Sequence, residues 1–508
     1  MRGFVKKNVV FFTAWTISLA IIGIGVFDPD VLDSVSALLH AYIIDNFGWG
    51  YLLGSLFFLV FSVVLASSRF GRLKLGHDHE KPQYSYFGWF SMLFAAGMGI
   101  GLIFWGVAEP LSHFAHPPGY IEPQSGDAAA FAMRHSFFHW GLHPWAVYIV
   151  MSLSVAYFSF RRGMPPLISS CFYPLLGERI YGPLGHLIDI LSVLATVFGI
   201  VTSLGLGALQ ITSGLASVTP LPDAFSTTLG VIGIVTVLFM ISSMTGLDKG
   251  IQILSKTNIL LALMLLAFML IVGPTAYIFN VLTTTLGGYF SALLDMSLSS
   301  NPFQGYEWTK SWTLFYWAWW ISWAPFVGLF VASISRGRTV REFILGAMLV
   351  PTLLTFIWFS VFGGAGLHLQ IEGQIDIAGK VAENVSVALF QLFSYYPLSG
   401  VLTMIAVLLL MVFFITSADS ATYVLAMMTS GGALRPSNWK KISWGVTVSA
   451  TACILLFSGG LEALQRMSIT AALPFTIIML VLCYCLWLGM RYEWRQPHTK
   501  TMDLDEEG

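Results

Sequence analysis

The sequence predicts an all-α integral membrane protein of twelve transmembrane helices, with spans 3–7 and 8–12 as two inverted five-helix repeats. Three observations predict it. The 508 residues are 56% hydrophobic and only 10% charged, far from the balance of water-soluble domains. Apolar windows long enough to cross a ~30 Å hydrocarbon core fall at about 8–27, 49–67, 86–108, 140–159, 187–214, 228–246, 258–279, 312–334, 344–365, 398–428, 441–458 and 471–490. With the N-terminus placed inside, every Lys and Arg except Arg134, Lys310, Lys380 and Arg466 falls on the inner side. Basic loops stay in the cytoplasm, so both termini are expected there, in the cell's inner (plasma) membrane.

The chain 1–508 reads as one membrane domain. It has a short tail at 1–7, two peripheral spans within 8–85, a first repeat at 86–279, a second at 312–490 and a tail at 491–508. The opening "MRGFVKKNVVFFTAWTISLAIIGIGVF" is read as the first span, because its apolar run is long and lacks the small-residue pattern of a cleaved signal. Spans 3 and 8 run in opposite directions and lead the two repeats. Span 3 carries "AAGMGIGLIFWG", and span 8 carries "WAWWISWAPFVG" with Ser322, Pro325 and Gly328 where regular helix is costly. Paired interruptions of this kind point to a secondary transporter with its site near the bilayer midplane. The net charge of −1 offers no basic field for nucleic acid. Cys171, Cys453, Cys483 and Cys485 lack metal or disulfide spacing and read as packing residues.

Gly97, Gly99 and Gly101 lie two apart, and each costs roughly 0.5–1 kcal/mol relative to Ala within a helix. One reading is an unwound segment whose free amides suit a carboxylate and whose carbonyls suit Na⁺. The other is a close-packing face between helices. In span 10, "FFITSADS" brings Thr416, Ser417 and Asp419 into the membrane. Hydroxyls there often bond back to their own helix, but a carboxylate in a span marks function by default. Asp419 either contributes to an ion site or orients this segment.

Span 8 contains "WAWWISW" at 317–323. An interfacial belt would lie at a span end, yet Trp319 to Trp323 lie ~10–16 Å down the helix from Trp312, near mid-bilayer. Trp319, Trp320 and Trp323 share a side at three- and four-residue spacing, and Trp317 reads as structural. Span 4 brings Trp140, Trp145 and Tyr148 to a similar depth. Indole faces attract quaternary ammonium groups at ~0.5–2 kcal/mol each when water is excluded. The substrate implied is a small zwitterion with a quaternary or sulfonium cation. His135, His139 and His143 have helical spacing that could serve a metal, but no carboxylate is evident beside them. They read as hydrogen-bonding or packing residues, and no cofactor is expected.

These residues resemble the betaine/carnitine/choline transporters. "FYWAWWISWAPFVGLFVASISRGRTVREF", 315–343, looks like that family's signature almost throughout, and the span order matches over the whole chain. The resemblance implies an amino-acid-transporter-like fold and Na⁺-coupled symport of glycine betaine by alternating access, for osmoprotection, with no enzymatic activity. It assigns Trp140, Trp145, Tyr148, Trp319, Trp320 and Trp323 to aromatic boxes for the trimethylammonium group, with Trp323 at the central site. Gly97, Met98, Gly99 and Gly101 match the form of span 3 in Na⁺-coupled betaine carriers and are implied to belong to the substrate site. Carriers for carnitine, choline or ectoine, and Na⁺-independent exchange, are the alternatives. Exchangers lack this glycine pattern, and choline carriers tend to carry Asp where this chain has Gly101. One sodium site is implied at Ala95, Met98, Phe413, Thr416 and Ser417. A second would use Thr196 and Phe326, but Ile200 stands where the family has a threonine, with Thr202 and Ser203 nearby. The resemblance further implies a homotrimer, with "RGRTVREF" near the contact.

Overall fold

The computed structural model describes residues 8–97, 99–245 and 248–495; Met98, assigned above to both substrate and sodium sites, lies outside them, as do 1–7 and 496–508. Helix covers each apolar window: α1 (Val9–Phe27), α2 (Pro29–Ser67), α3 (Tyr86–Gly97), α4 (Gly99–Ala115), α5 (Gly126–Trp140), α6 (Leu142–Ala156), α7 (Pro183–Val218), α8 (Phe225–Thr245), α9 (Asp248–Val272), α10 (Thr275–Leu298), α11 (Phe315–Ser333), α12 (Val340–Ile371), α13 (Ser399–Met428) and α14 (Asn438–Arg495). Among the described residues, nine helices are long and apolar enough to cross a membrane, or ten with the bent pair α9 and α10 taken as one span. The 58-residue α14 is interrupted by non-helical backbone at Gly459 and Gly460.

Local chemistry sets the boundaries the apolar windows missed. Helix α2 begins some twenty residues before its window, with Pro29 in its first turn and Asp28 accepting from the Val31 amide at 3.1 Å. Span 4 is two helices that meet at Gly141, a break that puts α5 and α6 out of phase. At Gly273 and Pro274 the chain turns by 109° into α10, since Pro supplies no amide to continue the ladder. Helix α12 starts from a capping box in which Thr339 and Glu342 satisfy each other's backbone amides.

The aromatic spans lie at the centre. In their most apolar stretches 94% of residues are buried for Gly126–Arg161 and for Tyr306–Ser333, against 22% for α1. Helix α11 packs on α6 and α7, α12 on α4, and α14 on α7 and α2.

At the end of the molecule rich in Arg and Lys, the α2–α3 connection is clasped to the turn after α11. Leu75 N donates to Arg338 O (2.8 Å), Gly337 N to Leu75 O (2.7 Å) and Val340 N to Leu73 O (2.8 Å). Gly337 has φ +84°, and a Cβ there would sit 2.5 Å from Lys81 O, so only glycine fits. The Arg338 guanidinium is buried over the Trp89 ring at 4.0 Å, donates to Tyr84 O at 2.8 Å and pairs with Glu342. Trp89 Nε1 in turn donates to Ser335 Oγ at 2.9 Å. Thus "RGRTVREF" is engaged within its own chain, with Arg341 donating to Ala66 O at 2.7 Å.

Arg336 grips Glu80 with two hydrogen bonds of 2.8 and 2.6 Å, and this pairing holds the Glu80 carboxyl down to about 2 from an ordinary 4.5. A depressed carboxyl pKa contributes stability that is present above the unfolded value and lost as pH falls through the folded one. Glu80→Gln should therefore lower the thermal midpoint in detergent at neutral pH, by on the order of 1 kcal/mol or less because the Arg336 side chain is 47% exposed. That difference from wild type should shrink as pH is lowered from about 4.5 towards 2; a constant difference would refute the assignment.

Candidate functional site

Helix reaches the glycine motif from both sides, ending at Gly97 and resuming at Gly99. Gly97, Gly99 and Gly101 thus lie in helix, with Met98 outside the described residues, and each of the three meets an aromatic ring as the close-packing reading expects. A Cβ on Gly101 would sit 2.8 Å from Cη2 of both Trp140 and Trp319, and one on Gly97 would sit 2.5 Å from Cη2 of Trp145. At Gly99 the Phe413 ring lies in ordinary contact at 3.4 Å. The glycines let rings from four other helices, α5, α6, α11 and α13, lie against the backbone. The interruption expected in span 8 is absent: α11 runs through Ser322, Pro325 and Gly328 as continuous helix. Ser322 explains part of this, because its hydroxyl bonds Trp319 O at 2.9 Å and Ser468 Oγ at 2.7 Å, tying the helix to α14. Gly328 lies against Met151, another close approach that needs no unwinding.

These contacts bring the six predicted aromatic residues into one cluster, all of them buried. Trp319 and Trp320 stack at 4.7 Å and 16°, and Trp319 and Trp323 at 6.3 Å and 20°. Trp140 meets Trp320 edge to face at 4.8 Å. Tyr148 joins Trp145 at 5.8 Å, Trp320 at 6.2 Å and Trp323 at 6.4 Å. Trp319 Nε1 donates to Gly199 O (3.4 Å) and Trp320 Nε1 to His139 O (3.0 Å). Trp145 Nε1, Trp323 Nε1 and the Tyr148 hydroxyl meet no hydrogen-bond partner among the described residues. Buried polar groups are normally paired, and these three lie in one aromatic cluster. Trp317 stands apart from the others, stacked on His143 at 5.1 Å.

The histidines do not act together. His135 Nδ1 faces Phe131 O at 3.1 Å and His143 Nε2 faces Ser297 Oγ at 3.0 Å, because the break at Gly141 turns His143 away. His139 instead meets a carboxylate the sequence reading did not anticipate. Glu109 of α4 is fully buried, with His139 Nδ1 at 2.7 Å and His113 Nε2 at 3.1 Å from Oε1. Trp140 Nε1 at 2.7 Å and the Tyr316 hydroxyl at 2.5 Å donate to Oε2. The available signal was Glu109 itself, one residue past the window drawn for span 3, with His113 four residues on. An acidic residue at a span end, paired at i and i+4, merited the weight given to Asp419.

Of the residues assigned to sodium, Phe413 packs on Gly99 and brings α13 beside α4. Thr416 Oγ1 lies 2.9 Å from Val412 O and 3.2 Å from Phe413 O, a back-bond to its own helix, and Ser417 is half-buried next to it. Ala95 belongs to α3. Thr196 Oγ1 bonds Ser192 O at 2.7 Å, while Phe326 packs on Trp323 at 5.9 Å. Ile200 is buried and offers no oxygen. Thr202 is committed elsewhere, bonding Phe198 O at 2.9 Å and Leu464 O at 3.0 Å. Asp419 accepts from Ser242 Oγ at 2.8 Å. Both residues line a cavity of about 760 Å³ at the basic end of the molecule, together with Arg336, Lys441 and Leu329. Leu329 lies six residues beyond Trp323, about 9 Å along the helix.

The sequence profile of the betaine/carnitine/choline family of transporters matches residues 9–495. The chain is 49% identical to the glycine betaine transporter OpuD of Bacillus subtilis (strain 168), over 98% of this chain and 97% of that protein. It is 44% identical to a probable glycine betaine transporter of Desulfitobacterium hafniense (strain Y51), over 96% and 98%. It is 41% identical to an ectoine/hydroxyectoine transporter of Virgibacillus pantothenticus, over 94% and 95%. The match spans every helix that builds the aromatic cluster, and this chain, a multi-pass membrane transporter and not an enzyme, belongs to the betaine/carnitine/choline transporter family.

Proposed function

We infer that the protein carries glycine betaine, or a close quaternary-ammonium or sulfonium analogue, into the cell together with Na⁺ by alternating access. The observation that carries this reading is the buried aromatic cluster with its three unpartnered donors. Ring faces suit a cation that has no N–H to share, and the orphan N–H and O–H groups suit the carboxylate at the other end of the same molecule. The names of the Bacillus and Desulfitobacterium relatives agree with it. A second reading, a cyclic solute of the ectoine class in the same cage, is favoured by the Virgibacillus relative.

For coupling, Thr416, Ser417 and the carbonyls of Ala95, Met98 and Phe413 are the proposed sodium ligands. The Gly99–Phe413 contact supports this reading by setting α13 against α4. A second ion at Thr196 and Phe326 has weaker support, given Ile200 and the committed Thr202. The non-helical backbone at Gly459 and Gly460 supports twelve spans, because it divides the 58-residue α14 into two stretches that correspond to the windows at 441–458 and 471–490. The cavity at the basic end, beside a cluster sealed within the protein, supports an inward-open state with both termini in the cytoplasm. The homotrimer and osmoprotection rest on the family alone.

In proteoliposomes, uptake of labelled glycine betaine should saturate and should follow an inward Na⁺ gradient. Flux independent of Na⁺ would overturn the coupling. Trp323→Leu should raise the KM for betaine at least about tenfold, the upper range for one desolvated ring, with the protein still monodisperse in detergent; near-normal uptake would sink the cage. Thr416→Ala combined with Ser417→Ala should raise the Na⁺ concentration for half-maximal uptake about tenfold, as expected for lost ligands to a cation. An unchanged Na⁺ dependence refutes that site.

A further inference from the structure

We propose that Glu109 is the positioning residue of the aromatic cage: it fixes the orientations of Trp140, Tyr316 and Trp320 and so sets substrate affinity without touching the substrate. This rests on reading the cluster as the substrate cage. A carboxylate accepts about four hydrogen bonds, and Glu109 receives four from three different spans. Oε2 takes the Trp140 indole N–H at 2.7 Å and the Tyr316 hydroxyl at 2.5 Å. Oε1 takes His139 Nδ1 at 2.7 Å and His113 Nε2 at 3.1 Å. His139 Nε2 is then an acceptor for the Thr313 hydroxyl at 2.9 Å, and His139 O receives Trp320 Nε1 at 3.0 Å.

The carboxylate therefore determines where these rings point. Trp140 is held by its N–H at one edge, while its far edge reaches the place a Gly101 Cβ would occupy. With both edges fixed, the ring cannot rotate. Its contacts with Trp320 at 4.8 Å and Tyr316 at 5.6 Å pass that restraint on to α11. Glu109, His113 and His139 also lie as closely as metal ligands do, within 4.8 Å of one another. A cation bound there would need both imidazole N–H groups removed from Oε1, whereas the four donors already fill the carboxylate's acceptor positions. The plain alternative is a buried group that only staples α4, α5 and α11 together.

Affinity measured per folded molecule separates the two. Purified wild type, Glu109→Gln, Glu109→Asp, Tyr316→Phe and Trp323→Leu would be titrated with glycine betaine at saturating Na⁺, with intrinsic tryptophan fluorescence reporting Kd. Glu109→Gln turns an amide N–H₂ toward two donors, and its Kd should rise about tenfold or more, the effect of a buried donor left without an acceptor. Glu109→Asp keeps the charge but draws it back by one methylene, and should fall between wild type and Glu109→Gln. Tyr316→Phe removes one donor and should raise Kd by a smaller factor of about two to five. A stapling role alone would reduce yield and Vmax and leave Kd of the folded fraction within twofold. That result for Glu109→Asp and Tyr316→Phe overturns the proposal even where Glu109→Gln does not fold. If Trp323→Leu also binds normally, the cage reading itself has failed; if Trp323→Leu binds weakly and the Glu109 and Tyr316 variants bind normally, only the positioning role has.

Discussion

The structure depends on how closely the indole rings of α5 and α11 can approach the backbone of α4. Trp140 and Trp319 both lie where a Gly101 side chain would begin, and no other residue type leaves that space. Given this contact, α5 and α6 are brought to the same face by Trp140, Trp145 and Tyr148, and α13 meets α4 through Gly99 and Phe413. Overpacking a well-filled interior by one or two methylenes costs about 1–3 kcal/mol. Here it would also separate the rings from one another. Membrane interiors offer helices no hydrophobic drive to associate, so close van der Waals contact through small residues has to supply the attraction.

Much of the fold was legible because lipid imposes one rule: a span must be apolar and helical. The windows at 187–214 and 398–428 match α7 and α13 closely for this reason. The windows keep only the most apolar runs, so the first half of α2 and most of α10 fell outside them. The clustering of Arg and Lys residues was legible in the sequence, but not the clasp that Arg336, Arg338 and Arg341 build on the α2–α3 connection.

At the site, the six aromatic residues could be chosen from depth and helical spacing, and the structure brings them together. The glycines carried two readings, an unwound segment and a close-packing face, and the ring contacts at Gly97, Gly99 and Gly101 match the second. Spacing alone cannot separate a weakened helix from one that needs a bare surface, because the same absence of Cβ serves both. The histidines were read as hydrogen-bonding or packing residues, as they prove to be; the i, i+4, i+8 pattern that would serve a metal presumes one unbroken helix, and Gly141 ends it. Glu109 was passed over because partners from α5 and α11 become visible only after folding. A carboxylate with no water near it needs such partners, and those partners are part of the cage.

Three of the cluster's indole N–H groups, those of Trp140, Trp319 and Trp320, are bound within the protein. The remaining polar side-chain atoms are the N–H groups of Trp145 and Trp323 and one hydroxyl, on Tyr148. Only that hydroxyl can accept a hydrogen bond. A primary ammonium brings three N–H groups and would leave at least two without a partner among these side chains, at about 1–3 kcal/mol each. Full methylation removes the problem by removing the hydrogens. On the proposed cage reading, glycine and other free amino acids would thereby be turned away although they are small enough to enter, a discrimination made by counting hydrogens on nitrogen rather than by measuring size.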